Sequence, residues 1–386
     1  MESDALYGFL VAFAAAALLT PIVARFARRI GAVDGMTARG LASEATPLLG
    51  GLAIFAGAVI AGLLFIPESE RTRGILIGAT FITVVGAWDD IRDLPPGVKL
   101  AGQLIAALIL VNAGVVVHNI TFPFLGAVDF GDAGGPLTVL GLVAVMNVVN
   151  FSDGVDGLAA GVCAISAIAF AIIAFDLGRD AAGILAAVTA GAALGFLVHN
   201  FHPASVFMGD CGSNLLGLLL GAIIVEGSLK TNALIALIGP LFVLAVPFLD
   251  TGFVVAKRIK YRRPVYRADS NHFHHRMHRI GFSQRRTVLY LYAWTITMAG
   301  LAVALRFIPY SDNSGHLEFW WSVAMGVCFA ITLAASAYLI YVLEIFKLRR
   351  LRAWQLRRTD PDTSEHQIDE DVERSLETGE FTALGS

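Results

Sequence analysis

Gly157-Leu-Ala-Ala-Gly-Val-Cys-Ala-Ile-Ser-Ala-Ile-Ala-Phe-Ala-Ile-Ile-Ala-Phe175 carries no charged side chain over 19 residues. A helix that crosses a bilayer needs about 20 predominantly apolar residues, so this stretch reads as a membrane span. Working outward, ten more uncharged runs are bounded by charges: Ala5 to Ala24, Ala45 to Pro67, Gly74 to Trp88, Leu100 to Val117, Ala133 to Ser152, Ala181 to His199, Cys211 to Val225, Thr231 to Leu249, Thr287 to Leu305 and Phe319 to Leu343. Composition agrees, with 56% hydrophobic and 15% charged residues among 386 and a mean hydropathy of +0.70. A soluble domain averages about 45–50% apolar and roughly 25% charged. The expected fold is therefore all-α, a polytopic integral membrane protein of eleven transmembrane helices. Cys163, Cys211 and Cys328 are too few and too scattered for a disulfide framework or a thiolate metal cluster.

Lys and Arg set the orientation. With the N-terminus outside, the inside segments hold 22 of the 28 basic residues: Arg25, Arg28, Arg29 and Arg39, Arg92 and Lys99, ten between Lys257 and Arg286, and six between Lys347 and Arg358. The outside segments hold five, Arg71, Arg73, Arg179, Lys230 and Arg306. The expectation is N-outside and C-inside in the plasma (inner) membrane. The segment before the first run is acidic (Glu2, Asp4), so no signal peptide is expected. Residues 1–358 read as one transmembrane unit; residues 359–386 hold nine carboxylates and are expected to be a disordered cytoplasmic tail.

Ionisable groups at membrane depth are costly and point to function. Here Asp89, Asp90, Asp93, Asp153, Asp156, Asp210 and Asp250 all fall in or beside segments that the basic residues place inside. A lone acidic loop residue is usually a solvated charge; seven on one face are harder to explain that way. Asp89 and Asp90 end a helix where the dipole disfavours carboxylates, so they need a divalent metal, a lysine or a bound proton. Oxygen-rich surroundings favour Mg²⁺ or Mn²⁺ over zinc.

Asn147-Val-Val-Asn-Phe-Ser-Asp-Gly-Val-Asp-Gly-Leu158 places two amides three apart, which share a helix face, then two carboxylates three apart, each followed by glycine. A calcium loop would need twelve residues and a terminal Glu. In Phe207-Met-Gly-Asp-Cys-Gly-Ser213, Gly209 and Asp210 stand just before a helix N-terminus, whose backbone N–H groups suit phosphate. The uncharged runs ending at Trp88 and beginning at Cys211 have 15 residues each, which suggests recessed inner ends near the lipid headgroups. A basic loop is commonly only the positive-inside signal, but Asn271-His-Phe-His-His-Arg-Met-His-Arg279 packs imidazole and guanidinium densely enough to suggest a diphosphate clamp. With no soluble module and no aromatics interleaved with the basic groups, a nucleic-acid partner is not expected.

At these residues the sequence resembles the polyprenyl-phosphate N-acetylhexosamine-1-phosphate transferase family. The resemblance runs in order through Thr46-Pro-Leu-Leu-Gly-Gly-Leu52, Asp89-Asp90, Asn147 to Leu158, Phe207 to Ser213, Pro247-Phe-Leu-Asp-Thr251 and Asp269-Ser-Asn-His-Phe-His-His-Arg276. It implies transfer of a sugar 1-phosphate from a UDP-sugar to the phosphate of a polyprenyl (undecaprenyl) carrier with release of UMP. The His272-Phe-His-His-Arg276 form followed by Gly281-Phe-Ser283 looks like the branch that uses UDP-GlcNAc and initiates O-antigen, teichoic-acid and related envelope glycans. The phospho-MurNAc-pentapeptide transferases, with three successive histidines and then an acid, are the runner-up.

By the same resemblance, Mg²⁺ (or Mn²⁺) falls to Asp210, with Asn150 as second ligand. Asp89 and Asp90 would deprotonate or orient the lipid phosphate, or contact the metal indirectly. Asp153 and Asp156, with Asn147, would shape the catalytic and nucleotide-sugar site, and His272, His274, His275 and Arg276 would hold the diphosphate. Gly209 and Asp250 join the substrate-binding set. The expected partners are the UDP-sugar, the polyprenyl phosphate and the membrane, with a homodimer left open. A cation-coupled transporter is the competing class, but it would place its carboxylates near the midplane and open to both faces.

Overall fold

The computed structural model describes residues 2–34, 46–122, 126–228, 284–309 and 318–342, together with residue 367. Ten helices lie in these residues, in order α1 (Glu2–Ile30), α2 (Gly51–Phe65), α3 (Glu70–Arg92), α4 (Pro96–Asn112), α5 (Gly134–Ser152), α6 (Leu158–Asp176), α7 (Asp180–Asn200), α8 (Gly209–Ser228), α9 (Gln284–Phe307) and α10 (Phe319–Val342). Two short antiparallel pairs are the strands present: β1 (Val33–Asp34) with β2 (Thr46–Pro47), and the hairpin β3 (Asn119–Phe122) with β4 (Gly126–Asp129). Eight of the helices are long and apolar enough to cross a membrane, and α2 and α4 are shorter apolar helices. The chain is an all-α polytopic membrane protein. The run Thr231 to Leu249, Asp250 and the tail 359–386 apart from residue 367 lie outside the described residues.

Helix boundaries differ from the uncharged runs in informative ways. The run at Gly74 continues in both directions into a helix of 23 residues, about 34 Å at 1.5 Å per residue. Ser69 starts it by accepting the Thr72 N–H at 3.0 Å, and Glu70 complements the dipole of its first turn. Asp89, Asp90 and Arg92 are thus its last turn. The run at Cys211 likewise belongs to a helix of 20 residues. Neither helix is short, so the recessed ends expected from the 15-residue windows have no basis in helix length. In the opposite sense, the run from Ala45 yields only 15 helical residues, because Thr46-Pro47 pairs with Val33-Asp34 as strand before α2 can begin.

Small residues let the helices approach closely. Along α1, Ala5, Gly8, Ala12, Ala16, Thr20, Ala24 and Ala27 form one buried stripe, while Leu6, Leu10, Leu18, Ile22 and Phe26 face outward. The stripe packs on α7, where a Cβ at Gly191 would stand 2.2 Å from the Phe9 carbonyl oxygen and one at Gly195 2.2 Å from that of Phe13. In lipid such backbone-to-backbone contact replaces the hydrophobic drive available in water. Packed among α2, α3, α5, α6 and α7, α8 lies buried along most of its length.

From α1 to α8 successive helices alternate in direction, so their ends sort into two sets. The ends of α1, α3, α5 and α7 meet the starts of α2, α4, α6, α8 and α9 at one pole. At the other, Arg71 pairs with Glu226 at 3.3 Å, Arg306 with Asp176 and Arg73 with Glu68. Three acids at that pole, Glu68, Asp176 and Glu226, are matched by a guanidinium; the first pole is built differently.

Candidate active site

The segment that delivers Asp210 is seated by the motif around Pro47. The Phe207 N–H donates to the Pro47 carbonyl at 2.9 Å, while the Gly50 and Gly51 N–H groups donate to the carbonyls of Phe207 at 3.0 Å and Met208 at 2.9 Å. The chain can turn into this clamp because Leu49 accepts a left-handed conformation, φ 70°, with its side chain fully buried. Gly51 then lies so close to α8 that a Cβ there would be 2.1 Å from the Gly212 nitrogen. The Pro-Leu-Leu-Gly-Gly stretch therefore acts as a socket for the start of α8.

Asp90 secures that start from α3. Its carboxylate accepts the backbone N–H groups of Asp210 at 2.7 Å and Cys211 at 3.2 Å, capping a helix other than its own. Gly209 has φ 73°, and a side chain there would come within 2.4 Å of the Asp90 carboxylate, so glycine is required on both counts. The N–H groups expected from sequence to be free for phosphate are, at Asp210 and Cys211, already engaged by Asp90.

Asp210 itself accepts from Lys99 Nζ at 3.1 Å through Oδ2 and from Asn150 Nδ2 at 2.9 Å through Oδ1. Lys99 also lies 2.5 Å from Asp89 Oδ2, and Asp89 Oδ1 accepts the Leu94 N–H at 2.6 Å. One ammonium thus stands between two carboxylates from different helices. Asn150 Nδ2 further donates to Ser213 Oγ at 2.9 Å, so its amide oxygen is turned away from these bonds. Lys99 answers the requirement of the Asp89-Asp90 pair for a cation, but its place on α4, ten residues beyond Asp89, gave the sequence reading no reason to select it. Asn147, three residues before Asn150, donates to Gln103 Oε1 at 2.7 Å and to the Val143 carbonyl at 2.8 Å.

Asp153 and Asp156 separate into different environments. The carboxylate of Asp156 accepts from His202 Nδ1 at 2.8 Å and from the Ala204 N–H at 3.1 Å, tying the loop after α5 to the loop after α7. His202 in turn accepts at its carbonyl from Arg285 Nε at 3.0 Å, and Tyr292 donates to the Gly157 carbonyl at 2.5 Å, so α9 docks on the same two loops. Asp153, in contrast, makes no hydrogen bond or ion pair through its carboxylate among the described residues. Burial at this end of the bundle raises its pKa well above the ordinary carboxylate range, and the fields of Asp210, Asp90 and Asp156 push it the same way.

The donor set fits a hard divalent cation. It offers carboxylate and amide oxygens, an unpartnered Asp153, and one described ammonium, Lys99, against Asp89, Asp90 and Asp210. Among the described residues no three acidic, imidazole or thiolate groups converge on a point that could hold a metal ion. His272, His274, His275 and Arg276 lie outside the described residues, as does Asp250.

Comparison with known proteins gives this pole its context. A probable undecaprenyl-phosphate N-acetylglucosaminyl 1-phosphate transferase of Bacillus subtilis (strain 168) is 35% identical over 341 residues, 88% of each chain. The sequence pattern of glycosyl transferase family 4 matches residues 72–228. The chain belongs to glycosyl transferase family 4. Within that family, the decaprenyl-phosphate N-acetylglucosaminephosphotransferase of Mycobacterium tuberculosis (strain ATCC 25618 / H37Rv) is 37% identical over 319 residues, 74% of this chain and 79% of the relative. The phospho-N-acetylmuramoyl-pentapeptide-transferase of Moorella thermoacetica (strain ATCC 39073 / JCM 9320) is 34% identical over 319 residues, 77% and 96% of the two chains. The family 4 match begins in the first turn of α3 and ends with α8, so it contains Asp89, Asp90, Lys99, Asn147, Asn150, Asp153, Asp156 and Asp210.

Proposed function

We propose that this family 4 protein transfers N-acetylglucosamine 1-phosphate from UDP-GlcNAc to a polyprenyl phosphate such as undecaprenyl phosphate, giving the polyprenyl diphosphate sugar and UMP. The observation that carries the reading is the gathering of Asp89, Asp90, Asp153, Asp210, Asn150 and Lys99 from four helix ends and one loop at a single pole. Relatives named for this transfer over 88% and 74% of the chain support it. In this reading residues 1–358 form the catalytic unit, and the excess of Lys and Arg on the segments at this pole supports a site on the cytoplasmic face of the plasma membrane.

In the reaction an oxygen of the lipid phosphate attacks the β-phosphorus of the UDP-sugar, and the bond from that phosphorus to the bridging oxygen breaks as UMP leaves. Asp210, oriented by the amide N–H of Asn150, would hold Mg²⁺ or Mn²⁺, and the ion would supply charge compensation for the two polyanions and the leaving UMP. The remaining work is positioning. Asp90 fixes the start of α8, Asp89 holds Lys99, and Lys99 presents its ammonium where the phosphates meet. Asp153 is the carboxyl group left without a hydrogen-bond partner among the described residues, and it would face the incoming phosphate. A phosphate monoester is largely dianionic above its second pKa of about 6, so no strong base is needed to make it a nucleophile. Asp156 serves through His202 by fixing the loop that carries Asp153.

The test is UMP release by the purified protein in detergent with undecaprenyl phosphate and Mg²⁺, with UDP-GlcNAc or UDP-MurNAc-pentapeptide as donor. Release from UDP-GlcNAc that a chelator abolishes is the expected result. Release from the muramoyl donor alone would move the chain to the pentapeptide branch, which the Moorella relative keeps in view. Release from neither would overturn the proposal.

A further inference from the structure

Three helices enter the site in two layers one turn apart. Lys99 of α4, Asp210 of α8 and Asn150 of α5 form the outer, charged layer. On the same faces, at spacings of four, four and three residues, follow Gln103, Asn214 and Asn147. These inner residues are joined as the outer ones are. Asn147 Nδ2 donates to Gln103 Oε1 at 2.7 Å, Gln103 Nε2 donates to Asn214 Oδ1 at 2.7 Å, and Asn214 Nδ2 donates to the Asp210 carbonyl at 2.8 Å. Gln103 is 5% exposed and Asn214 6%, with Ala106, Ala107, Met146 and Leu218 buried on the next turns.

Cohesion alone does not call for amides here, since apolar groups of the same shape in place of both hydrogen-bond partners can be nearly neutral for stability. An amide chain supplies what apolar packing lacks, a narrow set of distances and directions between three helices. The geometry points to the Asn147–Gln103–Asn214 layer as a positioning device. It fixes the register of α4, α5 and α8 at which the Lys99 ammonium bridges Asp89 and Asp210 and Asn150 reaches Asp210. Its consequence for turnover rests on the function proposed above; its effect on Lys99 does not.

The experiment uses the full chain with Gln103→Met and Asn214→Leu combined, which removes the central link without leaving one of its two partners polar. Acylation of Lys99 by a water-soluble succinimidyl ester, read by mass spectrometry, reports how firmly the ammonium is held. It is expected to quicken about threefold to tenfold, the factor that one or two lost net hydrogen bonds imply. The Mg²⁺ concentration for half-maximal UMP release should rise by a similar factor, while KM for UDP-GlcNAc moves less than about twofold because the donor's own contacts are untouched. A merely structural layer would alter melting and leave both Lys99 reactivity and Mg²⁺ demand as they were. Gln103→Asn, which keeps the amide and shortens its reach by one methylene, provides a gentler variant in which Lys99 should also react faster. Native Lys99 reactivity in both variants overturns the inference. Absence of UMP from the native protein would overturn the transfer reading instead, because Lys99 labelling requires no donor.

Discussion

Interactions from Lys99, Asn150, Asp90 and Asn214 converge on Asp210. Asp210→Asn keeps the shape and the backbone bonds of the α8 start while removing the charge. Transfer should fall by at least about 100-fold, the scale of losing one preorganised electrostatic contact, with elution in detergent unchanged. Full activity in a folded variant would remove the metal assignment. Asp153 gives the opposite balance. Its folded-state pKa is raised, so above the unfolded value of about 4 the folded chain retains a proton that the unfolded chain has released, and stability falls as pH rises through that window. Asn does not titrate. Asp153→Asn should therefore melt with the native protein near pH 4 and a few degrees above it at pH 8, while losing transfer activity. Equal melting at both pH values would show that the carboxylate carries no burial cost.

At the scale of elements, the site depends on α2, α3 and α8 touching through backbone. Gly86 faces Cys211 so closely that a Cβ would be 2.4 Å from its Cα, and Gly51 meets Gly212 in the same way. Gly51→Ala must push α8 away from the socket, at a cost of about 1–3 kcal/mol for overpacking, and should lower activity more than Gly97→Ala, whose Cβ meets nothing. Melting and UMP release for the two variants, measured side by side, decide this. The helices themselves were legible because an uncharged run long enough to span has few other fates in lipid. Their ends were not, since a window that stops at the first charge discards Glu70, Arg71 and Arg73 at one end of α3 and Asp89 to Arg92 at the other. Acids clustered at one pole were likewise legible from chain order alone. The division of labour among them was hidden, because Asp90 caps a helix 120 positions away and Asp156 meets His202 across two loops, and no spacing rule records such contacts. Lys99, Gln103 and Asn214 escaped notice for the same reason, each being unremarkable in its own helix.

The whole molecule divides charge between its poles. At the end opposite the site, Arg71, Arg73 and Arg306 each pair with an acid, so the basic side chains there are balanced locally. At the site end, Arg25, Arg28 and Arg29 close α1 beside the layer of Ala27, Ala32, Leu49 and Cys211, and Arg285 and Arg286 open α9. Positive charge on short segments is retained on the cytoplasmic side during insertion, which predicts the sidedness of both poles. Gly97 opens α4 beside the site with free space around it, and exposed Glu318 stands just before α10, at the end to which Arg306 brings α9. In a Cys328→Ala background, where Cys163 and Cys211 are buried, a membrane-impermeant maleimide should label Glu318→Cys in intact cells and Gly97→Cys only after permeabilisation. The reverse pattern would put Asp210 and its neighbours on the face away from cytosolic UDP-sugars, and the proposed transfer would lose its donor.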